Sequence, residues 1–153
     1  MGIKEEIKQE KFKSNAEMAM VNILYTFNWL KDRQQNTLKQ HKILSQHYNV
    51  LRIVNGSKSK VVFPGQIKEV MLDRGRDLTR LIDKLVTLKL LSRQHCDSNR
   101  RMIEIGITQK GKDVVDEIGK KMSKEMKEFF NLSEAEALQL SDLLDKLRGQ
   151  SSQ

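Results

Sequence analysis

The chain has 153 residues, 38% of them apolar and 31% charged, with a formal net charge of +8. That length fits one domain over 1–153. The single cysteine, Cys96, excludes an intrachain disulfide and suits a reducing cytoplasm, and no apolar run reaches the roughly 18 residues of a membrane span. One proline and eight glycines among many Leu, Lys, Glu and Met favour a mostly helical protein.

Residues 1–13 alternate charge and polarity, lack the apolar core of a secretion signal, and read as a frayed or helical extension. Ser14-Asn15-Ala16-Glu17 fits a capping box, Ser14 capping and Glu17 reaching back. Behind it Ala16, Met20, Ile23, Phe27 and Leu30 recur at helical spacing and predict a helix over about 15–35. The polar run Gln34-Gln35-Asn36-Thr37 reads as a break, with a turn through 38–43. A second helix is expected from Ser45 as N-cap, through Val50, Leu51 and Val54, to Asn55-Gly56, with Gly56 as a left-handed cap. A loop over 57–60 leads to Pro64, suited to the first turn of a third helix whose apolar side is Ile67, Val70, Met71 and Leu72.

Asp73-Arg74-Gly75-Arg76 reads as a tight turn. A fourth helix over about 76–89 has Leu78, Leu81, Ile82, Leu85 and Val86 on one face and Arg76, Thr79, Arg80, Asp83 and Lys84 on the other. Short helix, glycine turn and amphipathic helix make a helix-turn-helix pattern. The period then falls to two: Ile103, Ile105 and Ile107 alternate with Met102, Glu104 and Gly106. With an upstream strand at 91–96 and a tip at Asp97-Ser98-Asn99-Arg100, this predicts a hairpin in the position of a wing. Thr108 can cap a fifth helix running to about 130, with an apolar stripe of more than four turns. Ser133 and Glu136 form a second capping box, opening a sixth helix through Leu140, Leu143, Leu144 and Leu147. The tail 149–153 reads as disordered.

Function follows from where the charge lies. Residues 74–101 hold eight cations, six of them Arg, against three anions, a net +5 in 28 residues. Arg suits bidentate contact with guanine edges or phosphates, so the charge points to nucleic acid. An aromatic content of 5% leaves no stacking platform for single-stranded bases, which favours double-stranded DNA. There is no phosphate loop, no nucleophile elbow, and no metal-ligand spacing among His41, His47 and His95. The expectation is a non-enzyme without metal or cofactor. The stripe of the fifth helix exceeds what one small lobe can cover, which predicts a homodimer.

Thr79-Arg80-Leu81-Ile82-Asp83-Lys84-Leu85, Leu90-Leu91-Ser92-Arg93, Asn99-Arg100-Arg101 and Ile107-Thr108-Gln109-Lys110-Gly111 together resemble the signature of the MarR (multiple antibiotic resistance regulator) family, and the helical flanks extend the resemblance over about 13–149. The fold this implies is α+β, mainly α: a winged helix-turn-helix lobe over 43–108 with dimerisation helices over 14–36 and 109–149. The implied function is a cytoplasmic, ligand-responsive repressor binding a pseudo-palindromic operator as a homodimer. The alternatives are an architectural or activating DNA-binding protein, or a winged-helix module that binds another protein.

By this resemblance Arg101 sits at the wing over the minor groove or its phosphates, with Arg100 beside it. Arg76, Thr79 and Arg80 face the major groove, while Lys84 and Arg74 meet phosphates. Met18, Met20, Phe27, Trp29, Met122, Met126 and Phe129 serve the core and dimer interface or, as the resemblance implies, a pocket for a small amphipathic aromatic or anionic effector. Two positions depart from the family pattern. Lys89 replaces the usual Gly at the end of the recognition helix, so that helix is expected to end differently or run on. Asn99 replaces the Asp two residues before the wing arginine, and Asp97 is the candidate to supply the ion pair instead. Cys96 lies among arginines in sequence, but family members that sense oxidants carry their cysteine near the first helix.

Overall fold

A computed structural model describes residues 1–149. Contacts divide the chain into two compact units, residues 1–121 and the residues from Met122 onward.

In the first unit a four-residue helix, α1 (Ile3–Glu6), precedes the long helix α2 (Asn15–Gln40). Ser14 caps α2 as the sequence suggests, its Oγ accepting from Glu17 N–H at 3.1 Å. Glu17 reaches back one residue further than a standard box, accepting from Lys13 N–H. The expected break at 34–37 is not there: α2 continues for five residues past 35, because Thr37 and Leu38 are fully buried in the lobe. The helix ends at His41, with Lys42 left-handed at φ 58° and Ile43 N–H donating to Leu38 C=O. That is a Schellman ending, with Ile43 and Leu38 both buried.

α3 (Ser45–Gly56) starts at the expected cap residue itself, one residue early. Its N-cap is Leu44, whose N–H donates to His47 Nδ1 at 3.0 Å, so an imidazole does the work assigned to Ser45. Gly56 is not left-handed; Ser57 caps the helix in extended conformation. Val61–Val62 form a short strand, β1, that the sequence did not suggest. α4 (Pro64–Val70) has Pro64 in its first turn and Gln66 Oε1 accepting from Phe63 N–H at 2.9 Å. Only Ile67 and Met71 of its expected apolar side are buried. Val70, the last residue of α4, and Leu72, beyond its end, are exposed, Leu72 at 89%.

α5 (Leu78–Thr87) buries Leu78, Ile82 and Leu85 against α3. The strands β2 (Leu91–Cys96) and β3 (Asn99–Ile107) complete a three-stranded antiparallel sheet in the order β1-β3-β2. β1 pairs Val61 with Gly106 and Val62 with Ile105. Leu90, Leu91 and Ile105 close the core beside Val50, Leu51 and Val54. α6 (Gln109–Phe129) follows, and in this unit it buries Gly111, Val114, Val115 and Ile118. Glu117 Oε1 lies 3.6 Å from His41 Nε2, tying α6 to the end of α2.

The second unit holds the rest of α6 and α7 (Glu134–Leu147). The Ser133 box forms as read: Ser133 Oγ accepts from Glu136 N–H, and Glu136 Oε2 accepts from Ser133 N–H at 2.8 Å and from its hydroxyl at 2.7 Å. These bonds hold the Glu136 carboxyl below its usual range. Of the tail read as disordered, residues 150–153 lie outside the described residues. No helix among the described residues is long and apolar enough to cross a membrane.

Candidate nucleic-acid interface

The recognition helix of a helix-turn-helix must be held at a fixed angle yet show one face to solvent. Here α5 meets both requirements. Asp77 is its N-cap, Oδ1 accepting from Arg80 N–H at 3.3 Å. Its C-terminus is a Schellman motif: Leu90 N–H donates to Leu85 C=O and Lys89 N–H to Val86 C=O, both at 2.9 Å. Lys89 takes the left-handed conformation at φ 59°. The helix therefore stops where a glycine would stop it, and it does not run on.

The turn before α5 is laced to its surroundings. Leu72 N–H donates to Asn49 Oδ1 at 3.0 Å, Lys68 Nζ donates to Arg76 C=O at 2.6 Å, and Arg74 Nη2 donates to Glu69 C=O at 2.8 Å. Arg74, expected to meet phosphate, is thus engaged in shaping the turn. Arg76 lies ahead of α5 rather than on it, its Nε 3.0 Å from Asp73 Oδ2. Arg80 extends from the first turn with its side chain 87% exposed and Nε 3.4 Å from Asp77 Oδ2. Thr79 and Lys84 are exposed on α5. Behind the helix, His47 is buried at the α3–α5 contact; burial, and then the Lys84 charge, lower its pKa.

The wing differs from the expected hairpin. Its tip is Asp97-Ser98, with Asn99 already paired to Cys96, while His95 pairs with Ile103. Arg100, Arg101 and Met102 therefore bulge from β3 without partners in β2. Asn99 Oδ1 accepts from Arg101 N–H at 3.1 Å, and His95 Nδ1–H donates to Arg100 C=O at 2.8 Å. Asn99 shapes the bulge through the Arg101 backbone. The ion pair expected of Asp97 does not form among the described residues, and the Arg100 and Arg101 side chains are exposed. One link between wing and helix lay outside the sequence reading: Arg93 of β2 pairs with Asp83 of α5 at 2.5 Å.

The described residues thus bring Arg76, Thr79, Arg80 and Lys84 together along the recognition helix and its entry, and Arg100 and Arg101 together in the wing bulge. Asp73 and Asp77 were missed as site residues, although their spacing of three from Arg76 and Arg80 was a readable signal. Cys96 is half-buried, with Sγ 3.1 Å from Ser98 Oγ. No cluster of His, Cys, Asp and Glu among the described residues could hold a metal ion. Of the residues read as an effector pocket, Trp29 lines a cleft of about 250 Å³ with Ile3, Glu6 and Tyr25, and carries the Arg33 guanidinium 4.3 Å above its ring. Met20 and Phe27 are exposed. Met122, Met126 and Phe129 belong to the second unit.

No family profile matches the chain, and no curated protein of similar sequence is found. Solved structures do match. A MarR-like transcription regulator of Bacillus cereus is similar with a TM-score of 0.75 at 18% identity, over 88% of this chain and 96% of that one. A mutant MarR of E. coli complexed with operator DNA is similar with a TM-score of 0.70 at 22% identity, over 90% and 99%. The BpsR regulator of Bordetella bronchiseptica, whose DNA binding is regulated by 6-hydroxynicotinic acid, is similar with a TM-score of 0.72 at 18% identity, over 90% and 98%. The chain has the winged-helix fold of the MarR regulators.

Proposed function

We propose that this protein is a cytoplasmic, non-enzymatic MarR-type transcriptional regulator that binds a pseudo-palindromic operator as a homodimer and releases it in response to a small amphipathic aromatic or anionic effector. The observation that carries this reading is the pairing of an exposed Arg/Thr/Lys face on a rigidly capped recognition helix with a two-arginine bulge in the wing beside it. A helix of that kind fits a B-form major groove, and wing arginines fit the flanking minor groove or its phosphates. The E. coli relative in fold was solved on operator DNA, and the Bordetella one responds to an aromatic acid; both support the partner and effector classes. Exposed Met20, Leu24 and Phe27 on α2, and Leu138, Leu140, Leu143 and Leu147 on α7, support a second copy as the cover for these faces.

The test is selection from a duplex library with a randomised centre, followed by anisotropy titrations at several salt concentrations. The expected product is a two-fold symmetric site with half-sites about one helical turn apart and an affinity that falls steeply with salt. A chain that selects no sequence overturns the proposal.

A further inference from the structure

The cations of the candidate interface fall into two kinds. Lys84, Arg100 and Arg101 have no ion-pair partner among the described residues. Arg76 and Arg80 each have one, built the same way. The segment Asp73-Arg74-Gly75-Arg76-Asp77-Leu78-Thr79-Arg80 is a tandem Asp-x-x-Arg. In the first copy Asp73 Oδ1 accepts from Gly75 N–H at 3.2 Å while Oδ2 lies 3.0 Å from Arg76 Nε. In the second, Asp77 Oδ1 accepts from Arg80 N–H at 3.3 Å while Oδ2 lies 3.4 Å from Arg80 Nε. One oxygen of each carboxylate is anchored to the backbone; the other faces the Nε edge of a guanidinium, hydrogen-bonded to it in the first copy and ion-paired with it in the second.

Stability does not explain the second half of this arrangement. Capping needs only one carboxylate oxygen, and exposed ion pairs three residues apart contribute little to folding. Orientation is a better account. A guanidinium held through Nε keeps its two terminal nitrogens free as a fork, the geometry that meets guanine O6 and N7. Holding it in advance removes rotamer freedom that binding would otherwise have to remove. The carboxylates also place negative charge on the surface that approaches phosphates, which opposes loose docking on any duplex.

We infer that Asp77, and Asp73 in the same way, are specificity-determining positioning residues that aim Arg80 and Arg76 at guanines in the major groove and weaken binding to non-cognate DNA. This rests on the DNA-binding reading above and deepens it.

The test uses the full-length protein, a randomised duplex library, and the variants Asp77→Asn, Arg80→Ala and the double substitution. Asn is as good an N-cap as Asp, so Asp77→Asn leaves the helix start intact, which circular dichroism and thermal melting check. Wild type is expected to select guanine at one position per half-site. Asp77→Asn is expected to bind scrambled duplex more tightly than wild type does and to lose about tenfold of its discrimination between selected and scrambled duplex. In the Arg80→Ala background the same change is expected to leave guanine preference untouched, since the group it aims is gone. A purely structural role for Asp77 would instead lower the melting temperature and weaken both duplexes alike. If wild type selects guanine and Asp77→Asn keeps the same preference and discrimination, the inference is wrong while the DNA-binding reading stands. A wild type that selects no sequence overturns both.

Discussion

The Thr108 hydroxyl donates to the Lys89 carbonyl across 2.8 Å, joining the left-handed residue just past the recognition helix to the head of α6. The joint has several members. Thr108 Oγ1 also lies 3.1 Å from Leu90 C=O and accepts from Gly111 N–H at 3.0 Å, Thr108 N–H donates to Leu90 C=O, and Lys110 Nζ reaches Leu88 C=O at 3.0 Å. The Thr-Gln-Lys-Gly segment therefore satisfies the carbonyls of Leu88, Lys89 and Leu90, just past the end of α5.

Gly111 is the position where this joint tolerates least. A Cβ there would overlap the Leu90 carbonyl oxygen, a backbone atom, and lie 2.8 Å from Ile107 Cγ1. Gly111→Ala should destabilise the protein by about 2–3 kcal/mol in urea unfolding, near the upper end for overpacking. Gly119→Ala is the control in the same helix: its Cβ would meet only Tyr48 Oη at 3.7 Å, an ordinary contact. That change should add about 0.5–1 kcal/mol through helix propensity. Equal effects at the two sites would refute the joint as drawn.

Lys89 bears on the same joint from the other side. Its φ of 59° places a side chain where only glycine sits without strain. Lys89→Gly should therefore stabilise by about 0.5–1 kcal/mol, the relief of strain exceeding the entropy gained by the unfolded chain. Lys89→Val should destabilise. A Lys89→Gly variant less stable than wild type would show that the lysine side chain contributes more than its backbone costs.

The parts of this architecture written in local chemistry were legible in the sequence. The Ser14 and Ser133 caps, Pro64 at a helix start and Thr108 at the head of α6 depend on neighbours within four residues, and each is found in place. What depended on distant partners was not legible. α2 passes through Gln34–Thr37 because Thr37 and Leu38 are buried, which no local polarity reports. Val61–Val62 become a strand only by pairing with Ile105 and Gly106, more than 40 positions away. The site was half legible. Charge density located the recognition helix and wing, but the bulge at 100–102 and the carboxylates beside Arg76 and Arg80 are geometric facts.

Acid should weaken the lobe through His47. Its Nδ1 accepts the Leu44 N–H, so the neutral ring carries its proton on Nε2. A second proton would displace that bond inside a buried contact near Lys84, and the pKa is accordingly lowered, by burial first. A base with a lowered folded pKa binds fewer protons than the unfolded chain. The stability it contributes is complete above about pH 6.5 and is lost as the pH falls from there through the folded value, at no more than about 1.4 kcal/mol per pH unit. His47→Gln keeps a side chain that can cap Leu44 but does not titrate. Thermal melts between about pH 8 and 5 should show a shallower pH dependence for His47→Gln. Parallel curves would remove His47 as the cause.

Dimerisation should depend on the two exposed apolar faces. Phe27 on α2 is 61% exposed and Leu143 on α7 is 56% exposed. Sedimentation of the wild type at micromolar concentration should give a dimer. Phe27→Glu or Leu143→Glu should shift it toward monomer while leaving the helical signal of the winged lobe intact. A wild type that sediments as a monomer would leave these faces unexplained and would remove the two-fold operator from the proposed function.

The wing arginines should differ from Arg80 in what their loss does. Arg100 and Arg101 bulge from β3 with their shape set by backbone contacts to His95 and Asn99, and no carboxylate among the described residues pairs with their guanidinium groups. Unrestrained cations suit phosphate contact, which adds affinity on any sequence. Together with Lys84 they give three such cations per chain, hence about six phosphate contacts in a dimer and a slope of log K against log salt near −5. Arg101→Ala should weaken the selected and scrambled duplexes by similar factors and flatten that slope by about two units, one contact being lost from each chain. Asn99→Ala tests the geometry separately. It leaves the charge in place but removes the acceptor for Arg101 N–H, so it should weaken binding while leaving net charge unchanged. If Arg101→Ala instead abolishes discrimination and leaves the slope alone, the wing reads bases and the division of labour between helix and wing is the reverse of the one argued here.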